Sequence, residues 1–551
     1  MANLTMLSTR IPKLKPTTSE KLPFTTKIST FYPFSSNHQY NNVIITHKPN
    51  TTNNFTPKSA VSSIEESIGT SNESEDEEGK EKFDWYKQWY PVMPLCDLDK
   101  RKPTGKKVIG IDIVVWWDMN KSEWKVFDDM CPHRLAPLSE GRIDQRGRLQ
   151  CVYHGWCFNG SGQCKLIPQA PPDGPPVHTS KKACVSVYPS TVQNGILWFW
   201  ANSDPEFKDI LQKKKPPFMP ALDDPSYSAL ISSREINYGY EALVENLMDP
   251  AHVGYAHYGI LTKKTPKNKP VKGVDREGGR PLNLRIQDMD INGFSTIQEW
   301  GSGKFFAPCV YYVYPQSSAI DSANDNGNGS GSVSSVDSKA QVSTRKIPIL
   351  VFICIPVSPG KSRLIWSFPR NFAVWLDKII PKWVFHLNQN LVLDSDLYLL
   401  HVQERNIMEA GPTNWHKVCY VPTKADAILS GYRRWLNKYS NGGVNWGSKF
   451  NGGALPPTPL REELLDRYWT HTVNCSSCNA AYKGLNIAEI TLQVISFGLI
   501  GVLALTKQGT MNTIQRSALF SVAILCFLAS KWLSKFIYKN FHFHDYNHAL
   551  I

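Results

Sequence analysis

The chain of 551 residues is longer than one hydrophobic core usually organises, so we expect two domains with appendages. Its net charge of +13 does not indicate nucleic-acid binding, because almost half of the excess lies in the first 60 residues and no later Lys/Arg cluster carries interleaved aromatic residues. The 12 cysteines do not suggest a disulfide framework in a chain of this length without a recognisable secretory signal, so metal or redox chemistry is expected.

Residues 1–60 are predicted to be a chloroplast transit peptide. They contain 17 Ser and Thr, seven Lys and Arg against the single acid Glu20, and no continuous apolar run such as a secretory signal needs. A mitochondrial presequence would contain more arginine than Arg10 alone, whereas a disordered tail would have the same composition. The acidic segment that follows, 61–82, is predicted to be a solvated linker.

The segment 83–205 is predicted to be a small antiparallel β domain, because short apolar runs alternate with Gly, Pro and Asn turns. It contains "CPHRLAPLSEGRIDQRGRLQCVYHGWC", which offers Cys131 with His133 and then Cys151 with His154. A zinc finger pairs Cys with Cys and His with His, whereas a Rieske 2Fe-2S cluster takes two Cys on one iron and two His on the other. The mixed pattern therefore indicates a Rieske cluster.

Residues 206–460 are predicted to form a second domain that contains a mononuclear iron. "YEALVENLMDPAHVGYAHYG" has helical periodicity that Pro250 must kink or break, and Asp249, His252 and His257 are expected along one helix face. Two His and one carboxylate, with the other positions open, form the facial triad of non-haem Fe(II) oxygenases. The carboxylate ligand must come from elsewhere in the chain.

Strand-like segments such as "APCVYYVYP" and "KIPILVFICIPV" lie further along this second domain. Between them, the Ser-, Gly-, Asn- and Asp-rich stretch 317–344 cannot bury a core and is predicted to be a disordered insertion. Long helical periodicity returns from Trp383 onward.

The tail contains a Cys-x-x-Cys pair and two apolar runs. In segment 461–484, Cys475 and Cys478 are suited to thiol redox exchange or regulation, or to a structural role. A zinc site that includes His471 is a further alternative, but its fourth ligand is not evident from the sequence. In segment 485–551, the apolar runs are predicted to form a membrane helical hairpin, because two buried helices would show a polar face. Both ends of a hairpin lie on one side of a membrane.

The metal motifs resemble those of the Rieske non-haem iron oxygenases, over about Trp85 to Gln403. With the leader, the Cys-x-x-Cys pair and the apolar tail, the order is similar to the plant chloroplast branch that includes pheophorbide a oxygenase, the protochlorophyllide-dependent translocon component and flavonoid 8-hydroxylases. The resemblance implies an α+β fold: an N-terminal antiparallel β Rieske domain, a helix-grip α+β catalytic domain and a C-terminal membrane helical hairpin. It implies a 2Fe-2S cluster, mononuclear Fe(II) and O2, with ferredoxin and ferredoxin-NADP reductase as electron source.

The resemblance also implies roles for individual residues. Asp249 matches an acid that is no ligand but bridges between an iron-bound His and a cluster histidine, His154 or His133, of the next subunit in a homotrimer. Asn246 matches a position near the iron that adjusts it without binding it. These roles predict that the active site needs two subunits.

The resemblance also implies that the carboxylate ligand opens a helix and directly precedes an apolar helical run, which favours Asp396 over Asp394. The expected function is a monooxygenase of a planar aromatic plastid metabolite: a methoxylated flavone at position 8, or alternatively a chlorophyll-related tetrapyrrole. A different class of function is a redox sensor of the chloroplast import translocon that uses the cluster and Cys475/Cys478. The expected location is the envelope or thylakoid membrane, with the catalytic domain in the stroma.

Overall fold

The computed structural model describes residues 81–261, 279–315, 348–449 and 455–548. The predicted transit peptide 1–60, nearly all of the linker 61–82 and the insertion 317–344 lie outside the described residues. The described part is α+β, with strands concentrated at its start and two long helices at its end. The predicted fold class is therefore confirmed.

Three antiparallel sheets make up the N-terminal part, with strand orders β1-β11-β10, β2-β3-β4-β9 and β5-β6-β7-β8. Alternating burial along strands such as β4 shows one face turned to the core. The segments with the predicted cluster ligands precede β5 and join β6 to β7. The strands are β1 Trp89–Pro94, β2 Thr104–Val108, β3 Ile111–Asp118, β4 Glu123–Asp128, β5 Arg142–Ile143, β6 Leu149–Gln150, β7 Cys157–Phe158, β8 Cys164–Leu166, β9 Val187–Tyr188, β10 Ser190–Gln193 and β11 Ile196–Trp200.

One seven-stranded antiparallel sheet, in the order β12-β18-β17-β16-β15-β14-β13, forms the centre of the second part. Strands β17 and β18 are almost continuously buried, because both of their faces are covered. The strands are β12 Ile231–Ile236, β13 Arg285–Asp290, β14 Gly293–Gln298, β15 Gly301–Phe306, β16 Val310–Pro315, β17 Leu350–Ser358 and β18 Lys361–Ser367.

Helices α3, α6 and α8 share the main hydrophobic core with this sheet, which is the helix-grip arrangement. The periodicity that begins at Trp383 is realised as α6, the longest helix before the apolar tail. The helices are α1 Ile210–Lys213, α2 Pro220–Asp223, α3 Tyr240–Met248, α4 Val253–Ala256, α5 Leu376–Ile379, α6 Lys382–Ala410, α7 Trp415–Val418, α8 Ala427–Ser440, α9 Arg461–Leu464, α10 Ser476–Leu505 and α11 Thr513–Ile537.

Buried polar contacts join the N-terminal sheets to the seven-stranded sheet. The N–H of Ile109, in the turn between β2 and β3, donates to the carbonyl of Pro356 in β17 at 2.6 Å. Arg363 in β18 donates to the carbonyl of Val92 at 3.1 Å and to the Glu235 carboxylate at 2.6 Å. Because one hydrophobic cluster also runs through both parts, they form a single packed unit.

Helices α10 and α11 form a hairpin whose outer surface is apolar. The Ser496 hydroxyl donates to the Ala523 carbonyl at 2.8 Å where the two helices meet. Both helices are long and apolar enough to cross a membrane. After α11 the chain turns back toward the segment between α9 and α10. There the backbone N–H of Arg467 donates to the carbonyl of His542 at 2.7 Å. Exposed apolar residues of the hairpin include Ile490, Val494, Phe497, Ile500, Leu505, Phe520, Leu525 and Leu528.

Candidate metal centres

Two loops with the same hydrogen-bonding pattern carry the four predicted cluster ligands. The backbone N–H of each cysteine, Cys131 and Cys151, donates to the carbonyl of the residue five positions later. The carbonyl of the same cysteine accepts from the N–H four positions later, and all of these distances are 2.8–3.0 Å. That fourth residue has a positive φ in both loops, 58° at Leu135 and 76° at Gly155. The left-handed residue turns the chain back, and the loops bring their histidines side by side.

The four predicted cluster ligands offer two thiols and two imidazoles from these two loops. Cys131 and Cys151 are buried, and the half-buried rings of His133 and His154 lie with centroids 4.5 Å apart. The Nδ1 atom of His133 is buried with no hydrogen-bond partner among the described residues, an unfavourable state unless the nitrogen binds a metal. The ring stacks on Trp156, at 4.7 Å between centroids, which holds its orientation.

The iron motif lies across a helix break rather than on one helix. Helix α3 ends at Met248, and α4 is a single turn that His252 precedes and His257 follows. The expectation of one helix face is therefore wrong, while the predicted break at Pro250 is confirmed. Proline removes a backbone donor and clashes with the preceding turn, and the break lets both imidazoles turn toward α6.

The structure brings His252, His257 and Asp396 together around one point. The two Nε2 atoms are 3.2 Å apart, and Asp396 Oδ2 lies 3.4 Å from Nε2 of His257 and 3.9 Å from Nε2 of His252. This is the donor set of a facial triad, two imidazoles and one carboxylate within reach of one ion. Asp396 does not open a helix, as was expected, but lies in the middle of α6.

Asp394 lies on another side of α6 and is held by two buried arginines. Arg234 contacts its Oδ1 at 2.7 Å, and Arg467 Nε donates to its Oδ2 at 2.6 Å. Residues two apart on a helix point about 200° apart around the axis, so Asp394 and Asp396 cannot face the same site. The geometry therefore places Asp396, and not Asp394, with the histidines.

Ser395 orients His257, although no role was predicted for this serine from the sequence. Its hydroxyl donates to the carbonyl of Val392 at 2.6 Å, so its oxygen must accept from His257 Nδ1, which lies 2.7 Å away. The proton is thereby held on Nδ1, and the Nε2 lone pair faces Asp396. The only sequence signal was its position between two acids.

The protonation of His257 and Asp396 favours metal binding at neutral pH. Burial and the neighbouring His252 lower the pKa of His257 to about 4, and burial raises the pKa of Asp396 to about 6. Burial alone would lower the pKa of His252, but hydrogen bonding to Asp249 and the charge of Asp396 raise it. At pH 7 His257 is neutral and Asp396 is ionised, which are their ligand forms.

Asp249 and Asn246 both contact His252. Asp249 Oδ2 lies 3.7 Å from His252 Nδ1, while its Oδ1 accepts from the N–H of Ala251 at 2.8 Å. Asn246 Nδ2 lies 3.4 Å from His252 Nε2. The side chain of Asp249 is 34% exposed, so it also has a surface that another molecule can reach.

A cavity of about 600 Å³ opens onto the three ligands, within the size range of small-molecule sites. Its polar side chains away from the metal are uncharged, and Gln298 donates to the Tyr311 hydroxyl at 2.7 Å. Among the described lining residues there is no Lys or Arg. The aromatic and aliphatic lining includes Trp300, Val313, Leu350, Phe352, Leu364, Trp366, Phe368, Val384 and Phe385.

Cys475 and Cys478 belong to neither of these sites. They lie at the start of α10, where both are buried beside His386 of α6 and His471. His471 was predicted from the sequence as a possible zinc ligand beside the two cysteines, whereas His386 was not.

Two family models and several known proteins match this chain. The model of the Rieske [2Fe-2S] domain matches residues 88–189, and the model named pheophorbide a oxygenase matches residues 305–414. The chain is 57% identical to protochlorophyllide-dependent translocon component 52 of Arabidopsis thaliana, over 86% of this chain and 87% of the relative. It is 53% identical to flavonoid 8-hydroxylase 2 of Ocimum basilicum (86% and 88%) and 35% identical to pheophorbide a oxygenase of Oryza sativa (86% and 86%).

Replacing Asp394 and replacing Asp396, both in α6, should have different consequences. Asp396→Ala should reduce iron from about three to about two atoms per chain while the cluster absorbance is kept, because one ligand of the mononuclear site is lost. Asp394→Ala should lower the free energy of unfolding by about 3–5 kcal/mol, because two buried guanidinium groups lose their counter-ion. Iron analysis and thermal unfolding check both; three irons per chain in folded Asp396→Ala protein would contradict the assignment.

Ser395→Ala should weaken retention of the mononuclear iron by about 10–100-fold, because the orientation of His257 is no longer maintained. Titration of the protein with an iron chelator measures the change. Ser395→Thr keeps the hydroxyl and serves as the matched control, which should bind iron as the native protein does. Equal iron affinity in the alanine and threonine variants would show that the hydroxyl has no orienting role.

Proposed function

This chain belongs to the chloroplast branch of the Rieske non-haem iron oxygenases, and we propose that it hydroxylates a methoxylated flavone at ring position 8. When bound, the 2Fe-2S cluster supplies single electrons and the mononuclear iron supplies the site of O2 reduction. One observation carries the choice of substrate: the triad of His252, His257 and Asp396 borders an aromatic-lined cavity with no Lys or Arg among its described lining residues.

The cavity can bind a flat aromatic molecule and hold it beside the metal. Trp300, Phe352 and Trp366 offer ring faces and edges, which favour offset or edge-to-face contacts with an aromatic substrate. Gln298 and Tyr311 form a neutral hydrogen-bonded pair that can bind a hydroxyl, methoxyl or carbonyl oxygen. The apolar lining also keeps bulk water from the reacting carbon.

An uncharged flavone fits this lining better than a tetrapyrrole acid does. A chlorophyll-related carboxylate would lose its hydration on entry, and a buried anion needs a cationic or multiply hydrogen-bonded partner. The described lining residues offer the carboxylates of Asp249 and Asp396 but no Lys or Arg. The cost of removing water from an anion and the nearby carboxylates of Asp249 and Asp396 both favour a neutral substrate.

Asp249 is proposed to join two subunits of a homotrimer. Its position beside His252, with one-third of the side chain exposed, allows one carboxylate to accept bonds from His252 and from His133 or His154 of a neighbouring subunit. Exposed apolar side chains surround the cluster histidines in the same chain, which suits burial against a protein partner. These side chains are Leu135, Val152 and Tyr153.

Ferredoxin, reduced by ferredoxin-NADP reductase, is the proposed electron source, and a plastid membrane is the proposed location. The relatives are chloroplast proteins, and the apolar faces of α10 and α11 need a non-aqueous partner. Because the start of α10 and the chain after α11 both contact helix α6 of the catalytic domain, that domain and the end of the chain share one side of the membrane, proposed to be the stroma.

A second candidate substrate is a chlorophyll-related tetrapyrrole, and a second class of function is redox sensing at the import translocon. The 57% identity to a protochlorophyllide-dependent translocon component favours considering both. A pure sensor would not need His252, His257 and Asp396 around one point beside a substrate-sized cavity. We therefore prefer an oxygenase.

Turnover assays separate the three functions. The full chain in detergent, supplied with ferredoxin, reductase and NADPH, is expected to add one oxygen atom to methoxylated flavones, detected by mass spectrometry. The position of the new hydroxyl follows from NMR of the product. Selective consumption of pheophorbide- or chlorophyllide-type pigments would overturn the flavone proposal, and consumption of neither by protein with an intact cluster spectrum would favour the sensor.

Asp249→Ala should keep the cluster and the mononuclear iron but lower turnover by about 100-fold or more, because the contact that aligns the two centres is lost. Iron analysis, cluster absorbance and turnover test this together. The control is Asp223→Ala at an exposed acid of α2, which should leave turnover unchanged. Undiminished turnover in Asp249→Ala would mean that the bridge is assigned to the wrong residue.

A further inference from the structure

Four buried side chains converge outside the two iron sites. The imidazoles of His386 and His471 and the thiols of Cys475 and Cys478 have ligand atoms that all lie within 4.8 Å of one another. We propose that they bind one structural zinc ion, which fastens the start of the apolar hairpin to the catalytic domain. The proposal does not depend on which substrate the oxygenase uses.

The spacing of the four groups matches the edges of a tetrahedron around zinc. His471 Nε2 lies 3.3 Å from Cys478 Sγ, and His386 Nδ1 lies 3.4 Å from Cys478 Sγ and 3.5 Å from Cys475 Sγ. Ordinary zinc–sulfur and zinc–nitrogen bonds imply sulfur–nitrogen edges of about 3.6 Å. Two sulfurs and two nitrogens in tetrahedral array indicate zinc among the common metals.

Each histidine is oriented by a bond on its other nitrogen. His471 Nδ1 lies 2.7 Å from the carbonyl oxygen of Ser233, which can only accept, so the proton is on Nδ1 and the Nε2 lone pair faces Cys478. His386 Nε2 bonds the Ser232 hydroxyl at 2.8 Å, leaving Nδ1 between the two sulfurs. A backbone or hydroxyl partner of this kind is the usual support of a metal-binding imidazole.

Charge and burial also favour a metal over an exposed redox pair. The two imidazole rings and the two sulfurs are all buried. Two neutral imidazoles, two thiolates and one Zn²⁺ have no net charge, which suits a site whose four residues are at most 2% exposed. Thiol exchange with a partner protein needs accessible sulfur, and Cys475 and Cys478 are not accessible.

The ligands come from segments that are far apart in the chain. Cys475 and Cys478 border the first turn of α10, His471 lies just before them, and His386 is in α6. Asp396 lies ten residues after His386 on α6, about 15 Å along the helix. The ion would therefore tie the base of the apolar hairpin to the helix that carries the iron ligand.

The decisive experiment uses the native full chain, purified in detergent without added metal. Elemental analysis should find about one zinc and about three irons per chain, and zinc K-edge absorption should fit two sulfur ligands near 2.3 Å and two nitrogens near 2.0 Å. This spectrum is specific to zinc and does not depend on turnover. Absence of zinc, an oxygen-rich zinc shell, a fourth iron or a Cys475–Cys478 disulfide would each overturn the proposal.

A second experiment replaces Cys478 by serine. The matched control is Cys419→Ser, at a partly buried cysteine elsewhere in the chain. Cys478→Ser should lose zinc and unfold at lower temperature, while Cys419→Ser keeps both properties, because metal binding and folding are coupled. Zinc retained by Cys478→Ser would contradict the assignment. If that variant does not fold, the absorption spectrum of the native chain still decides.

Discussion

The buried contact of Asp394 with Arg234 and Arg467 is the constraint on which the rest of the site depends. It joins α6 to strand β12 and to the segment before α10, with all three side chains nearly inaccessible to water. Removing one member would leave charge unpaired in the interior, so the rotation of α6 is strongly specified. With Asp394 held there, Ser395 and Asp396 face His257.

Helix α6 thereby acts as the common support for chemistry at separate places. Its central turns supply Asp396 and Ser395 to the iron site, and its first turns supply His386 to the proposed zinc site. The chain after the hairpin also returns here, where His548 bonds the carbonyl of Ser395 at 2.9 Å. The substrate cavity, the metal ligands and the apolar hairpin are therefore connected through one helix.

The iron site and the proposed zinc site orient their imidazoles in the same way. His257 donates its Nδ1 proton to a hydroxyl that is itself committed to a backbone carbonyl, and His471 donates directly to a carbonyl. In both cases the lone pair of Nε2 is aimed before any metal binds. These supports are ordinary serines and backbone groups, and nothing in their residue type distinguishes them in the sequence.

The Rieske pattern, the two histidines of the iron motif, the long helix α6 and the apolar hairpin could be predicted from the sequence, because each depends on spacing over a few residues or on one helical period. The choice between Asp394 and Asp396 required the folded structure, since it depends on Arg234 and Arg467 in distant segments. Likewise, His386 is 85 residues before His471 and becomes its neighbour only when α6 packs against the start of α10. The local sequence pattern specifies which residues can bind a metal. Tertiary packing specifies which of these residues lie close enough to bind the same ion.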